Sequence, residues 1–136
     1  ALPCPSIAPS LGQQTVDQAL AENKIIIFVG GSGNPFFTTD TTAVVRALQI
    51  GATELWKATK VAGLYTVDPL VHADAEHIAQ VTYAQALVDR LAIMDATAFT
   101  LAQDHRLTTR IFDVFAPNAL LRAYEEPEFG STITTT

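Results

Sequence analysis

The chain has 136 residues, the length of one domain with its own hydrophobic core. Hydrophobic residues make up 49% of it and charged residues 16%, which excludes an intrinsically disordered chain and predicts burial in an oligomer. The net charge of −6 argues against a nucleic-acid polymer as partner, because such binding uses many Lys and Arg residues. No apolar run is long enough to span a membrane, and no secretory signal is visible.

In chain order, the spacing of apolar residues alternates between helix and strand. Helical spacing predicts helices over residues 15–23, 40–50, 82–91, 95–105 and 118–125. Apolar runs predict strands over residues 24–30, 53–61 and 109–114, with a last edge strand over 131–135. The first of these runs is typical of a strand buried on both faces, and it opens a right-handed βαβ unit. Residues 62–80 are predicted to be a loop, and the fold class is α/β, a mostly parallel sheet between helices.

The stretch GGSGNPFFTTDTT, residues 30–42, follows the first predicted strand and enters a helix. Ligands bind at this end of strands in open α/β sheets, and a helix start offers unpaired amides to an anion. Phe36 and Phe37 could pack against a ring of the ligand. Neutral hydrogen-bond donors for a phosphate or a polar base are supplied by Ser32, Asn34, Thr38 and Thr39. In the purely structural alternative, Thr39 caps the helix, Asp40 complements its dipole, and both Phe residues are core. The stretch matches neither a P-loop nor a GxGxxG motif.

A second stretch, KATKVAGLYTVD (residues 57–68), also leaves a strand toward a glycine-containing loop. Lys57 and Lys60 suit phosphates and Tyr65 suits a base; alternatively, both lysines are solvated and the tyrosine packs on the surface. Asp95 precedes a helix, where capping is its local role, although a carboxylate in a cleft shared with Asp40 would hold Mg²⁺ or orient a phosphate.

Two further groups carry no predicted chemistry. Residues 72–77 contain His, Asp and Glu at a spacing that fits no defined metal site, so a solvated loop is expected there. Cys4 is the single cysteine, and a structural thiol in a reducing compartment is the simplest interpretation. No residue is assigned as a metal ligand.

Longer motifs carry a resemblance to a known family. They occur in the order GGSGNPFFTTDTTA, KATKVAGLYTVDP, VTYAQAL, IMDATAFTLAQDHRL, TRIFDV, ALLRA and GSTI. In order and spacing the chain resembles the C-terminal half of the bacterial uridylate (UMP) kinases, in the amino-acid-kinase superfamily. The resemblance implies the C-terminal half of that fold, with residues 1–136 as the nucleotide-binding part of a kinase-like domain and the N-terminal half absent. It also implies ATP-dependent phosphorylation of UMP to UDP in pyrimidine biosynthesis, with ATP and Mg²⁺, in a cytoplasmic homohexamer that GTP activates and UTP inhibits.

The resemblance also implies a role for individual residues. The UMP site would be lined by Ser32, Gly33, Asn34, Pro35, Phe36, Phe37, Thr38 and Thr39. Asp40 would organise the phosphoryl-transfer centre, and Asp95 would lie near the transferred phosphate as a second catalytic residue. The ATP nucleoside would be contacted by Thr59, Tyr65 and Asp68.

The chain departs from the family pattern at several points. Ala62 stands where Asp is usual, Ser32 where Thr is commoner, and residues 115–118 replace an Asn-Lys-Pro-Gly segment. The family's ATP-phosphate lysine, its glycine turn and its UMP-binding Arg and Asp have no counterpart in these residues. We therefore expect little or no activity from the chain alone, and a catalytically inactive nucleotide-binding or assembly subunit is the alternative. A third activity of the same fold, on a carboxylate or carbamate, is disfavoured by the motif GNPFFTTD.

Overall fold

The computed structural model describes residues 4–91 and 94–136. The helices in these ranges are α1 (Gln13–Ala21), α2 (Thr39–Gln49), α3 (Tyr83–Val88), α4 (Ala96–Asp104) and α5 (Ala119–Glu125). The strands are β1 (Glu54–Thr59), β2 (Leu64–Tyr65), β3 (His77–Ile78), β4 (Gln80–Thr82), β5 (Thr108–Asp113) and β6 (Ser131–Thr134). Each predicted helix is present, and α3 is shorter than the predicted 82–91, because Thr82 belongs to β4 and caps the helix and because the helix ends at Val88. No described helix combines the length and the apolar character that crossing a membrane requires.

One sheet, the main sheet, contains four of the described strands in the order β1-β5-β6-β4. β1 pairs parallel with β5, β4 pairs parallel with β6, and β5 pairs antiparallel with β6. The predicted α/β class with a mostly parallel sheet is therefore confirmed. The prediction that β6 is an edge strand is wrong, because Ser131 and Ile133 are buried between two neighbouring strands.

Residues 24–30 do not form the predicted strand. They have no regular secondary structure, and no described strand pairs with them. Ile25 and Ile27 are 94% and 81% exposed, while the Phe28 ring lies under the Arg46 guanidinium, 5.8 Å from its centroid. An apolar run becomes a buried strand only when neighbouring strands and helices cover it, so the predicted βαβ unit lacks its first strand. We call residues 25–29 the apolar segment.

The predicted loop over residues 62–80 contains paired strands. β2 and β3 form an antiparallel ladder, with Leu64 opposite Ile78 and Tyr65 opposite His77, and we call this pair the ribbon. β4 also begins inside the predicted loop, at Gln80. Ladders of two or three residues are too short to show an alternating pattern of apolar and polar residues, so sequence periodicity missed them.

The core places α2 and α4 side by side against the main sheet. Val44 of α2 and Phe99 of α4 are buried in it, together with Tyr83. The Tyr83 hydroxyl donates to the Leu107 carbonyl at 2.8 Å and shares a hydrogen bond with Thr109 Oγ1, also 2.8 Å. Burial raises the pKa of Tyr83, and the bond to Thr109 opposes that rise only partly. Because this packing aligns the two helices, their amino-terminal ends lie next to each other.

Candidate functional site

The amino-terminal ends of α2 and α4 are each capped by a side chain. Thr38 Oγ1 accepts from the backbone N–H groups of Asp40 and Thr41, at 3.1 and 3.5 Å. Asp95 Oδ1 accepts from the N–H groups of Thr97 and Ala98, both at 3.0 Å. The predicted capping role of Asp95 is confirmed. The alternative that Thr39 caps α2 is wrong by one residue, because the extended backbone lies at Thr38 and Thr39 is already helical.

Asp95 also connects the two helices. The hydroxyls of Thr38 and Thr41 both donate to its carboxylate, the latter at 2.9 Å to each oxygen. Partial burial opposes ionisation of Asp95, but the hydrogen bonds from Thr38, Ala98, Thr41 and Thr97 outweigh it, and the pKa of Asp95 is lowered. The carboxylate is therefore an ionised anchor between α2 and α4, and its assignment near a transferred phosphate stays a prediction.

Asp40 is paired with a cation from the sheet. Lys57 Nζ, on β1, donates to Asp40 Oδ2 at 2.7 Å, and both side chains are partly buried. Thr38 and Thr41, which lie on either side of Asp40 in sequence, are the residues bound to Asp95, so both carboxylates predicted to be catalytic lie at the first turn of α2. We call Thr38–Thr41 with Lys57 and Asp95 the polar turn.

The loop before α2 is stabilised by its own short-range bonds. Ser32 Oγ donates to the Asn34 carbonyl at 2.9 Å and accepts from the Asn34 N–H at 3.1 Å. Gly33 and Phe36 both have positive φ, 71° and 68°, which bends the chain sharply before the helix. Phe36 and Phe37 are exposed, so the alternative that both are core residues is wrong. The remaining residues predicted to line a UMP site, Pro35 and Thr39, are likewise exposed on this loop and the helix start.

The residues predicted to contact ATP do not all meet. Tyr65 lines a cavity of about 570 Å³ together with Ala62, His77, Arg122, Phe129 and Gly130, a volume in the range of small-molecule sites. Thr59 and Asp68 are not among the residues that line it. Thr59 Oγ1 donates to the Val61 carbonyl at 2.9 Å, and Asp68 Oδ1 accepts from the Leu70 N–H at 2.9 Å. Both therefore shape the turns on either side of Tyr65.

A wider groove, of about 1250 Å³, runs between the apolar segment, α2 and β1. It extends along the backbone from residue 24 to Gly31 and reaches Thr39 at the start of α2. The groove therefore adjoins the polar turn, and one of its walls is the uncovered apolar segment.

Sequence reasoning overlooked several residues of these sites. In the sequence Thr41 is only one residue of a motif, and nothing indicates the ion pair of Lys57 with Asp40, since lysines at a strand end carry no signal for their partner. His77 was assigned to a solvated loop, whereas its ring lies against Tyr65 with the centroids 5.3 Å apart. Ser131 stands out in the sequence only as part of the motif GSTI, which does not indicate its contacts, because these are with residues distant in the chain.

Metal-binding capacity can be judged from the donor set. Among residues 4–91 and 94–136, no three His, Cys, Asp or Glu side chains converge in a way that would hold a metal ion by themselves. Mg²⁺ in phosphoryl-transfer sites is usually bound by one or two carboxylates together with substrate phosphates. Asp40 is a single carboxylate at a helix start, the residue type that this mode of binding uses, and it is ion-paired with Lys57.

One known protein family matches most of the chain. The model of the amino acid kinase family matches residues 6–113. The chain belongs to the amino acid kinase family.

Particular relatives within that family are uridylate kinases. The chain is 41% identical over 118 residues to the uridylate kinase of Hydrogenovibrio crunogenus, covering 87% of this chain and 50% of that protein. It is 44% identical over 119 residues to the uridylate kinase of Thermotoga maritima, covering 88% of this chain and 52% of the relative. The UMP kinase structure from Ureaplasma parvum superimposes with a TM-score of 0.91 at 27% identity, over 98% of this chain and 57% of that one. The resemblance indicated by the motifs is thus confirmed, and the chain spans about half the length of the curated relatives it matches.

Proposed function

We propose that residues 1–136 are the C-terminal, nucleotide-binding part of a uridylate kinase domain, and that the complete domain transfers the γ-phosphoryl group of ATP to UMP. The observation that carries the proposal is the ion pair of Asp40 with Lys57 at the first turn of α2, in a chain 41% identical to a uridylate kinase. In this reaction a phosphate oxygen of UMP attacks the γ-phosphorus, the bond to the bridging oxygen breaks, and ADP leaves as UDP forms.

The loop of residues 32–37 and the start of α2 form the proposed UMP wall. Its exposed hydroxyls, amides and rings face solvent rather than the core. The positive end of the α2 dipole attracts anions, which favours the phosphate of UMP, although the N–H groups of Asp40 and Thr41 are bonded to Thr38. Because Ser32 and Asn34 already constrain the loop through mutual hydrogen bonds, part of the ordering entropy of binding is already lost in the free protein.

The polar turn combines one lysine with two carboxylates where phosphoryl transfer is proposed to occur. Such reactions depend on alignment of the reactants and on neutralisation of phosphate charge more than on covalent help from the protein. Lys57 brings a cation to Asp40, and Asp95 fixes the end of α2 on which Asp40 lies. Mg²⁺, which the resemblance implies together with ATP, would offset the negative charge of the phosphates between ATP and UMP. Asp95 remains our second proposed catalytic position, close to the transferred phosphate.

ATP is proposed to bind on the side of the ribbon. Tyr65 offers a ring to the nucleoside at the cavity of about 570 Å³, and stacking on an aromatic ring is a common way to hold a base. Thr59 and Asp68 are proposed to contact the same nucleoside from the turns that flank the ribbon.

The exposed apolar segment supports the proposal that further chain completes the domain. In the Ureaplasma parvum structure the match covers only 57% of the chain, so that protein contains a large region without a counterpart in these residues. Apolar side chains as exposed as Ile25 and Ile27 gain stability when another element covers them. A homohexamer in the cytoplasm, activated by GTP and inhibited by UTP, is the assembly that the resemblance implies, and we propose it for the complete protein.

An inactive nucleotide-binding or assembly subunit is the second candidate. It is favoured by the match to only about half of each relative and by Ala62 at a position where the family usually has Asp. Such a subunit would bind nucleotides and associate with other chains without forming UDP.

Calorimetry and a UDP-formation assay test both candidates. The purified chain is titrated with UMP, with CMP and with ATP·Mg²⁺, and the assay is repeated with the chain joined to the unmatched part of the Thermotoga maritima relative. We expect UMP to bind more tightly than CMP, and UDP to form only in the joined protein. Nucleotide binding without UDP formation in either would favour the inactive subunit, and equal affinities for UMP and CMP would contradict the proposed UMP wall.

A further inference from the structure

Ser131 joins the ribbon to the main sheet. It is the first residue of β6, and only 1% of it is exposed. Its Oγ accepts from the Leu64 N–H at 2.7 Å and shares a hydrogen bond with His77 Nε2 at 3.1 Å. Leu64 lies on β2 and His77 on β3, so one buried hydroxyl contacts both strands of the ribbon.

Gly63 shows how closely these groups are packed. A Cβ atom at this position would lie 2.6 Å from His77 Nε2 and still closer to Ser131 Oγ. Real Cβ atoms do not approach other atoms so closely, so only glycine fits while the Ser131–His77 pair is intact. The turn into β2 is therefore shaped around the serine hydroxyl.

The same contacts determine where the Tyr65 ring lies. Tyr65 directly follows Leu64, whose N–H is bound to Ser131, and it pairs with His77 in the ladder. The rings of Tyr65 and His77 meet edge to face, at 71° with 5.3 Å between centroids. Backbone and ring of Tyr65 are thus constrained by Ser131 and His77, which lie far from it in sequence.

We propose that Ser131 and His77 are positioning residues that hold Tyr65 in place for the nucleoside of ATP. The inference rests on the proposed function, in which Tyr65 contacts that nucleoside. A ring that is ordered before binding loses less entropy when the ligand arrives, so affinity depends on the groups that order it. Removing the hydroxyl would leave the buried Leu64 N–H without its partner, which favours displacement of the ribbon.

The test compares Ser131→Ala with Ser131→Thr and with Thr132→Ala in the full chain. Each is titrated with a non-hydrolysable ATP analogue plus Mg²⁺ and, separately, with UMP, and amide hydrogen exchange is measured at Leu64. We expect Ser131→Ala to weaken binding of the analogue by about tenfold and to accelerate Leu64 exchange by a similar factor, with UMP binding unchanged. Ser131→Thr keeps the hydroxyl, so we expect analogue affinity and Leu64 exchange as in the unmodified chain. Thr132→Ala changes the next residue on β6, and we expect it to alter neither the affinity nor the exchange rate.

The outcomes separate this inference from the proposed function. Faster Leu64 exchange with unchanged affinity for the analogue would overturn the positioning role while leaving ATP binding intact. Equal losses of analogue and UMP binding would make Ser131 a general structural residue and would also overturn it. An unmodified chain that binds no analogue would overturn the proposed ATP site and this inference with it, whereas UMP binding would still be measured. If Ser131→Ala does not fold, His77→Ala is used in the same assays, with a smaller loss of analogue affinity expected.

Discussion

The apolar segment and the polar turn lie a few residues apart, and the apolar segment is the more exposed of the two although its composition favours burial. Residues 25–29 are apolar throughout, yet Ile25, Ile27 and Val29 are exposed. The polar turn consists of Thr, Asp and Lys residues, yet Thr41 is buried and the carboxylates of Asp40 and Asp95 are both bonded to neighbouring side chains.

The difference reflects where each region finds its partners. Polar groups at a helix end are satisfied by side chains within a few ångströms, and α4 brings Asp95 to α2 inside this chain. An apolar segment in extended conformation needs strands beside it and elements over its faces. Among the described residues, the polar turn finds side chains that bond to its polar groups, whereas the apolar segment stays largely uncovered. We therefore expect the two regions to respond differently to substitution.

The largest effect is expected for Asp40→Asn in the joined protein described above. Loss of the carboxylate should lower turnover by about 10²-fold with little change in UMP affinity, because the group acts mainly in the transition state. Steady-state kinetics and UMP titration measure the two effects. Asp104→Asn, at the exposed end of α4, is the control and should leave turnover unchanged. Unaltered turnover in Asp40→Asn would reduce Asp40 to a residue that complements the helix dipole.

Asp95→Ala tests the anchoring of the polar turn. The substitution removes the cap of α4 and leaves the buried Thr41 hydroxyl without its acceptor, which should lower the free energy of unfolding by about 2 kcal/mol. Urea denaturation measures the change. Asp89→Ala removes a carboxylate whose described side-chain contact is an exposed bond to Gln85, and it should cost no more than about 0.5 kcal/mol. Equal losses in both variants would contradict the anchoring role.

Ile27→Glu and Leu70→Glu test whether the apolar segment is a surface for further chain. The two residues are matched in exposure, at 81% and 80%. Ile27→Glu should weaken association with the separately produced, unmatched part of the Thermotoga maritima relative by about tenfold, since a buried carboxylate loses its hydration. Leu70→Glu should not, and neither variant should lower the stability of the isolated chain appreciably. Association that is equally strong in both variants would place the contact elsewhere.

The smallest expected effect is a pH dependence at Asp95. Its pKa is lowered in the folded state from an ordinary value of 3.8, so the unfolded chain binds the proton more readily and stability falls as pH falls. The stabilisation is fully present above the unfolded pKa and disappears as pH drops through the folded pKa. The stability difference between the unmodified chain and Asp95→Asn should therefore be constant above about pH 5 and shrink below it. A difference independent of pH would mean that the anchor does not require the charge.

Local signals in the sequence were sufficient to predict the helices and the capping role of Asp95 in the polar turn. Helical spacing located α2 and α4, and Asp95 was expected to cap a helix, because both features depend on residues within one or two turns. Locating the cap of α2 at Thr38 instead of Thr39 required the backbone conformation. The prediction of a strand over residues 24–30 is wrong. An apolar composition indicates that these residues would gain stability on burial, but it does not show whether other elements of the chain cover them.

The contacts that organise the sites could not be predicted from the sequence, because they join residues that are far apart in it. Asp40 and Lys57 are 17 residues apart, and Leu64 and Ser131 are 67 residues apart. No local pattern links members of such pairs, since their meeting depends on the order of the strands and on how α2 packs against the sheet.

By itself the sequence determined the α/β class, the positions of the helices and the motifs of the amino acid kinase family, because these are written in local spacing and in residue order. Tertiary structure alone decided that β6 lies inside the main sheet, that Asp95 anchors two helices, and that Ser131 bonds to both strands of the ribbon that contains Tyr65. It also decided that the apolar segment is exposed in this chain. Local preferences are properties of neighbouring residues, whereas burial and pairing are shared among elements that only the folded chain brings together.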